Sequence, residues 1–361
     1  MSLLASYPFI KPLVIGLVGA AVLTGLLYLG GMFVVWLERK FTADMQSRFG
    51  PNRVGKYGLL QLIADALKLL TKEDIVPRSA DQLLYLGAPI VAVSSALLMA
   101  AGMPYGYIRL PDWSILGVSL QGTHLLAVSN LDVGLLYVEA VSAVSVVGIF
   151  MAGWASPNKY ALISAFRNVA RMIGYEVPLA MSVVGVAVMA HSLNFVDVVN
   201  MQSSLYELFP VHPLLRYIPA WFIILQPIGF VVFGVSMLAE LGSKPFDQIE
   251  AEEEIVAGWG VEYSGMRWAL IYFSEYFHLI LGSLFMVLLF FGGWTLPFDY
   301  PISLSPLVLL AKVILVIMGV LVVRWSLPRF RIDQVQTLGW KLLLPLSLIN
   351  LAWAGALGMV L

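Results

Sequence analysis

The sequence predicts an all-α polytopic membrane protein with about eight transmembrane helices and a short amphipathic helix in its first cytoplasmic loop. Three observations predict it. The 361-residue chain is 60% hydrophobic and 12% charged, with a mean hydropathy of +0.87; a water-facing domain usually carries about 25% charged residues. Apolar runs of about 20 residues, the length a span needs, recur eight times. Lys and Arg concentrate in alternate loops.

The runs cover 12–36, 82–103, 125–152, 161–190, 218–240, 266–294, 303–325 and 340–360, within one membrane domain spanning 1–361. The first, Pro12 to Trp36, is too long for a signal-peptide core and ends at Glu38-Arg39-Lys40, so it is expected to be retained as a transmembrane helix. The third and fourth are long and partly polar, and are expected to be tilted. Of the 21 Lys and Arg, seventeen fall in the odd-numbered loops or at their helix edges; Lys11, Arg109 and Arg216 fall on the other side and Lys312 within the seventh run. The odd loops are therefore expected to be cytoplasmic and both termini periplasmic.

A net charge of −1 gives no basic surface for nucleic acid. The absence of Cys excludes thiolate-held zinc and cysteine-ligated iron–sulfur clusters on this chain. Electrons, if they are involved, are carried by partners.

Two cytoplasmic loops stand out. In the first, residues 57–71 (YGLLQLIADALKLLT) are too short to span. Gln61, Asp65, Lys68 and Lys72 recur at spacings of 4, 3 and 4, one narrow polar stripe on a helix. The pattern fits a helix lying in the membrane interface or packed on the bundle, and equally a wall beside the opening for an amphiphilic ligand. The fifth loop, 241–265, is acidic, with Asp247, Glu250, Glu252, Glu253, Glu254 and Glu262. It reads as a solvated face, a docking surface or a proton entrance.

Ionisable groups inside spans are costly and point to function. The third run holds Asp132 and Glu139, two helical turns apart and so on one face. The fourth holds Arg167, Arg171 and Glu176. The fifth ends at Glu240, the sixth holds Glu275 and His278, and the seventh Lys312. Arg167 and Arg171 read equally well as ion pairs locking helices, and Asp132 and Lys312 as groups near the interfaces. Glu139, Glu176, Glu240 and Glu275 are harder to account for structurally; bridged by water, such carboxylates form a proton path. Glu275-x-x-His278 has the spacing of half a di-iron site, but no second copy exists. The four His, 124, 191, 212 and 278, do not form the paired set of stacked haems, and no GxGxxG or Walker loop occurs.

Four strings, in order among the runs, carry a resemblance. They are RFGPNRVGKYGLLQLIADALKLLTKEDIVP (48–77), GWASPNKYALISAFRNVARMIGYE (153–176), LAELGSKPFDQIEAEEEIVAGWGVEYSGMRWALIYFSEY (238–276) and RWSLPRFRIDQVQTLGWKLLLP (324–345). The chain resembles the quinone-chamber membrane subunit of complex I, NADH:quinone oxidoreductase. It departs from that pattern at Ile249, where a Pro is common, at Ser243-Lys244, and at Glu139, where many relatives are apolar.

The resemblance implies one subunit of a multisubunit proton-translocating enzyme, not catalytic alone. Hydrophilic iron–sulfur subunits of the peripheral arm, with FMN, oxidise the donor. This chain binds quinone (ubiquinone or menaquinone) as substrate and holds no metal or flavin. Small and antiporter-like membrane subunits are its neighbours in a bacterial plasma (inner) membrane, with quinone and lipids around it and no nucleic acid. By carry-over, the chamber and its mouth involve Arg39, Asp65, Lys68, Asp247, Glu250, Glu252 and Arg267. The proton path involves Glu139, Glu176, Glu240, Glu254 and Glu275, with Arg167 and Arg171 as supporting charges. Two rivals are the same subunit in a ferredoxin- or F420-linked dehydrogenase or membrane-bound hydrogenase, and a stand-alone ion transporter. The transporter predicts an inverted repeat, and none is visible in the sequence.

Overall fold

The computed structural model describes residues 10–110, 114–115, 118–119, 122–203, 219–298 and 300–359. His212 and Arg216 lie outside them. Helix α1 spans Ile10–Met45 and is followed, after a single 3-10 turn at Lys56–Gly58, by the short helix α2, Gln61–Thr71. Then come α3 (Gln82–Ala101), α4 (Gly134–Ala155), α5 (Lys159–Ala190) and the short α6 (Phe195–Met201). Next are α7 (Phe222–Leu225), α8 (Pro227–Glu240), the single turn α9 (Glu252–Ile255) and α10 (Gly265–Phe290). The chain closes with α11 (Ser305–Ser326), α12 (Ile332–Leu338), a π-helical stretch at Gly339–Leu343 and α13 (Leu344–Gly358).

Among the described residues, seven helical stretches are long and apolar enough to cross a membrane: those of α1, α3, α4, α5, α10 and α11, and the continuous run from α12 through α13. The expected run 218–240 corresponds instead to two helices, α7 and α8, with Gln226 between them at φ −130° and ψ 61°. Pro227 is the cause. It cannot donate to the carbonyl four residues back, but it is well suited to the first turn of a new helix.

The third crossing begins nine residues later than 125. Residues Gly122–Leu125 form a strand paired antiparallel with Tyr107–Leu110, so this stretch belongs to a small ribbon between α3 and α4. Asp132 sits in the turn before α4, not on the helix. It therefore does not share a helical face with Glu139.

Local signals account for the main ends. Asp81 caps α3 by accepting from the N–H groups of Leu83 (3.1 Å) and Leu84 (3.4 Å), and Asn158 caps α5 by accepting from Tyr160 N–H (2.9 Å). Such caps serve N–H groups that no preceding turn can reach. Helix α4 lies along α3 so closely that a Cβ on Gly148 would stand 2.8 Å from Ala92 N, a small-residue crossing of the kind that lets membrane helices pack without a hydrophobic driving force.

The core runs along α10, the most enclosed crossing, which packs against α1, α3 and α11. Phe277, Leu281, Phe285, Leu288 and Phe290 are buried there against Phe233, Phe195 and Leu321. α5 joins α4, α8 and α13 on the other side. An apolar cavity of about 610 Å³ opens between α8, α10 and α11, with Val231, Leu238, Met286 and Leu315 in its wall and Lys312 at one end. Lys312 is occupied by the protein itself. Its Nζ donates to the carbonyls of Phe291 (2.7 Å), Gly293 (2.9 Å) and Thr295 (2.6 Å) and stands 4.6 Å from the centre of the Trp221 ring. These contacts serve carbonyls where α10 ends, the position a cation favours.

Candidate functional site

The charged residues singled out in the sequence gather into three groups: around α2, in the acidic loop, and on α4, α5 and α8. The first lies where α2 meets α1. Arg39 Nη1 donates to Asp65 Oδ2 at 2.6 Å, and Gln61 Nε2 donates to the other carboxyl oxygen at 3.0 Å. Trp36 Nε1 donates to Tyr57 O (3.2 Å), tying the approach to α2 onto the same helix. α2 thus directs part of its polar stripe at the protein, while Ile63, Leu67 and Leu70 stay exposed. An apolar face turned outward beside a crossing suits the membrane interface.

Burial by itself would raise the Asp65 pKa. The hydrogen bonds from Arg39 and Gln61 and the charges of Arg39 and Lys68 outweigh it and hold the carboxyl below its ordinary range. A lowered folded-state pKa contributes stability above the unfolded value and loses it as pH falls through the folded one. The seating of α2 on α1 is therefore expected to be unchanged from about pH 8 to about pH 5, and to weaken only in acid below the ordinary Asp value of about 3.9. Hydrogen exchange of the α2 amides across that range checks this; loosening between about pH 7 and about pH 5 would contradict it.

The second region is the acidic loop. Asp247 is held by Arg329 at 2.9 Å, and its other oxygen accepts from Glu250 N–H (3.3 Å). Glu252 opens α9, its side chain lying outside the described residues. Arg267 pairs with Asp74 at 3.0 Å, closing the end of α2 against the start of α10. Arg267 is thus brought to the α2 side, and Asp247 and Glu250 to the Arg329 side.

Between the two lies a pair that no sequence motif singles out. Glu38, 5% exposed, forms an ion pair with Arg324, Oε1 to Nε at 3.3 Å, and its Oε2 is enclosed with no partner among the described residues. The hydroxyls of Tyr272 and Tyr276, 2.9 Å apart, belong to the same electrostatic neighbourhood, as does Glu275. Glu275 in turn feels Glu250, Arg324, Asp247 and Arg171. One signal is present in the sequence: Tyr272, Glu275 and Tyr276 fall on one face of a helix at spacings of 3 and 4.

Three further carboxylates converge from three helices. Glu139 (α4), Glu176 (α5) and Glu240 (α8) lie within mutual electrostatic reach, and Ser142 Oγ donates to the Glu139 carbonyl at 2.9 Å. All three, like Glu275, are half-buried. Arg171 stands beside them, 1% exposed, donating to Asn168 Oδ1 (2.9 Å) and Phe246 O (3.4 Å). It needs Gly242, φ +65°, since a Cβ there would sit 2.5 Å from its Nη1. Arg167, one turn away, points elsewhere and pairs with Glu254 at 2.5 Å, where Glu254 is 45% exposed. Glu254 is thus brought to a surface ion pair, apart from Glu139, Glu176 and Glu240. His278 stands 3.2 Å from Ser95 Oγ on α3, and the described residues hold no cluster of three metal-ligating side chains.

A multi-pass helical bundle with half-buried carboxylates on its helices and a charged loop defines a polytopic membrane subunit. The chain belongs to the NADH dehydrogenase family, whose family model matches residues 18–355. It is 50% identical to the H subunit of the F(420)H(2) dehydrogenase of Methanosarcina mazei, over 98% of this chain and 96% of that protein. It is 49% identical to the protein of the same name from Methanosarcina acetivorans, over 100% and 99%. It is 42% identical to the H subunit of the NADH-quinone oxidoreductase of Dehalococcoides mccartyi, over 93% and 84%.

Proposed function

We propose that this chain is the membrane subunit of a proton-translocating, complex-I-type oxidoreductase. In that assembly it forms the membrane part of the quinone chamber and passes the effect of quinone reduction to neighbouring membrane subunits through buried carboxylates. The observation that carries the reading is the convergence of Glu139, Glu176 and Glu240 from three helices, with Glu275 linking electrostatically to the acidic loop. In this reading Arg39, Asp65, Lys68 and Arg267 flank the chamber mouth, and Asp247, Glu250 and Glu252 face the peripheral arm. The Glu38–Arg324 pair with its two tyrosines lies between.

Reduction of a quinone takes two electrons and two protons. In a dry cavity the anionic intermediates exert a field that is weakly screened, so Glu275 and the acidic loop respond to the redox state. Glu240, Glu176 and Glu139 take up the change, and Arg171 holds the local charge balance. Glu254, paired at the surface, belongs to the outer edge of the path. Iron–sulfur and flavin centres reside on hydrophilic partners, and the assembly sits in a plasma membrane with the odd loops cytoplasmic.

For the electron donor two readings stand. NADH is the one the motifs resemble. F420H2 is favoured by the 50% identity over nearly the full length of both chains. Capture of this chain from native membranes in mild detergent tests both. Iron–sulfur and flavin subunits should come with it, and quinone reduction by NADH or by F420H2 names the donor. A chain that arrives alone, from membranes in which other respiratory assemblies stay intact, refutes the redox reading.

A further inference from the structure

The break between α7 and α8 holds polar atoms that have no partner among the described residues. Two contacts repair part of the backbone: Gln226 N–H donates to Phe222 O (2.7 Å), and Trp353 Nε1 of α13 donates to Leu225 O (2.9 Å). The Gln226 side chain reaches across to α5, where Nε2 donates to Gly185 O at 3.0 Å and stands 3.1 Å from Met189 Sδ. A carbonyl partner fixes which end of an amide carries the hydrogens. The other end, Oε1, is fully enclosed and has no partner among the described residues. Asn350, three residues before Trp353 on the same face of α13, is also 0% exposed, and neither its Oδ1 nor its Nδ2 has a partner among them. Turning that amide over changes nothing, since both ends are unserved.

These three atoms share one niche. A Cβ on Gly185 would sit 2.6 Å from Asn350 Nδ2 and 3.7 Å from Gln226 Oε1; a Cβ on Gly229 would sit 2.7 Å from Asn350 Nδ2 and 2.9 Å from its Oδ1. Two glycines on two helices let α5 and α8 close over the amides. Enclosed polar atoms without a protein partner mark ordered water or an ion.

We infer that the niche binds an ordered water that bridges Gln226 Oε1 to the Asn350 amide and ties α5, α8 and α13 across the helix break. The set of atoms selects the ligand. Two oxygens require a donor and the Asn350 NH2 group requires an acceptor. Water does both through hydrogen bonds of about 2.8 Å, and three polar partners are its usual complement in an interior. A metal cation serves the oxygens and leaves the N–H stranded. The niche is separate from the carboxylates: Gly185 is nine residues, about 13 Å, from Glu176 along α5, and Phe233, 1% exposed, lies between Gln226 and Glu240 on α8. The inference therefore does not rest on the proton-path reading.

A density map of the unaltered, intact assembly, at a resolution that shows buried waters, tests it. The expected result is a peak within hydrogen-bond distance of Gln226 Oε1 and of the Asn350 amide. An empty niche beside visible buried waters elsewhere overturns the inference, and so does a peak that appears only with added sodium and touches oxygens alone. A second measurement uses the melting temperature of the assembly. Asn350→Leu and Gln226→Met are each expected to lower it, and the double variant to lower it by less than the two shifts together, because removing the whole set strands no partner. Additive shifts overturn the bridge; if the single variants fail to assemble, the map alone decides.

Discussion

Glu240→Gln in the assembled complex is expected to cut proton translocation on the order of tenfold or more, equivalent to about 1.4 kcal/mol or more of added barrier. Glu254→Gln, at the outer edge of the path, is expected to lower it by much less. The two residues differ in setting, not in chemistry. Glu240 shares its electrostatic neighbourhood with Glu139 and Glu176. Carboxylates this close titrate as a group, so protonation of one alters the others. The amide keeps the shape but cannot carry a proton. Glu254 is 45% exposed and pairs with Arg167, the kind of surface pair that contributes little. Proteoliposomes containing the whole complex, driven by donor and quinone, allow translocation and quinone reduction to be followed together. Equal translocation in the two variants, at equal assembly, would remove Glu240 from the path. Glu176→Gln and Glu275→Gln extend the comparison to α5 and α10.

The contrast between Glu240 and Glu254 also shows what the sequence could and could not convey. Both are legible as acids on the expected proton path, Glu240 at the end of the fifth run and Glu254 within the loop that follows. Their separation depends on Arg167, which reaches one of them from another helix, and no local pattern encodes that. Arg167 and Arg171 likewise looked alike at one-turn spacing. The structure sends one to the surface and encloses the other under Gly242. Hydrophobic length identified the crossings because a bilayer imposes it on each helix separately. It could not locate the break at Gln226, since Gln226-Pro227 barely alters the hydropathy of the run. It also started the third span at Leu125, the last residue of a ribbon strand, because a short apolar run reads the same in a ribbon as in a helix. Glu38 and Arg324 were legible only as charges at loop edges. Their meeting joins residues at opposite ends of the chain, and only the packing of α1, α10 and α11 brings them together.

That pair carries the second large effect. Arg324→Met is expected to leave Glu38 enclosed at 5% exposure with its ion-pair partner gone. Removing one member of a buried pair typically costs about 3–5 kcal/mol, so the assembled complex should melt markedly lower. Glu38→Gln strands Arg324 less severely, because Arg324 is 23% exposed and keeps access to water. The double variant, Glu38→Gln with Arg324→Met, removes both charges and should recover most of the stability, since an apolar replacement of a whole buried pair is often close to neutral. Quinone reduction separates a structural role from a chamber role. If the pair only holds α1 to α11, activity returns with stability in the double variant. If the pair, with the Tyr272 and Tyr276 hydroxyls, faces the quinone, the double variant assembles normally, yet reduces quinone slowly and with a raised KM. The latter is expected here. Among the described residues Glu38 Oε2 has no partner, and the two hydroxyls beside it hydrogen-bond to each other. A ligand headgroup that reaches Tyr272, the half-buried member of the set, meets hydroxyls with hydrogen-bonding capacity to spare, which a lock between helices does not need.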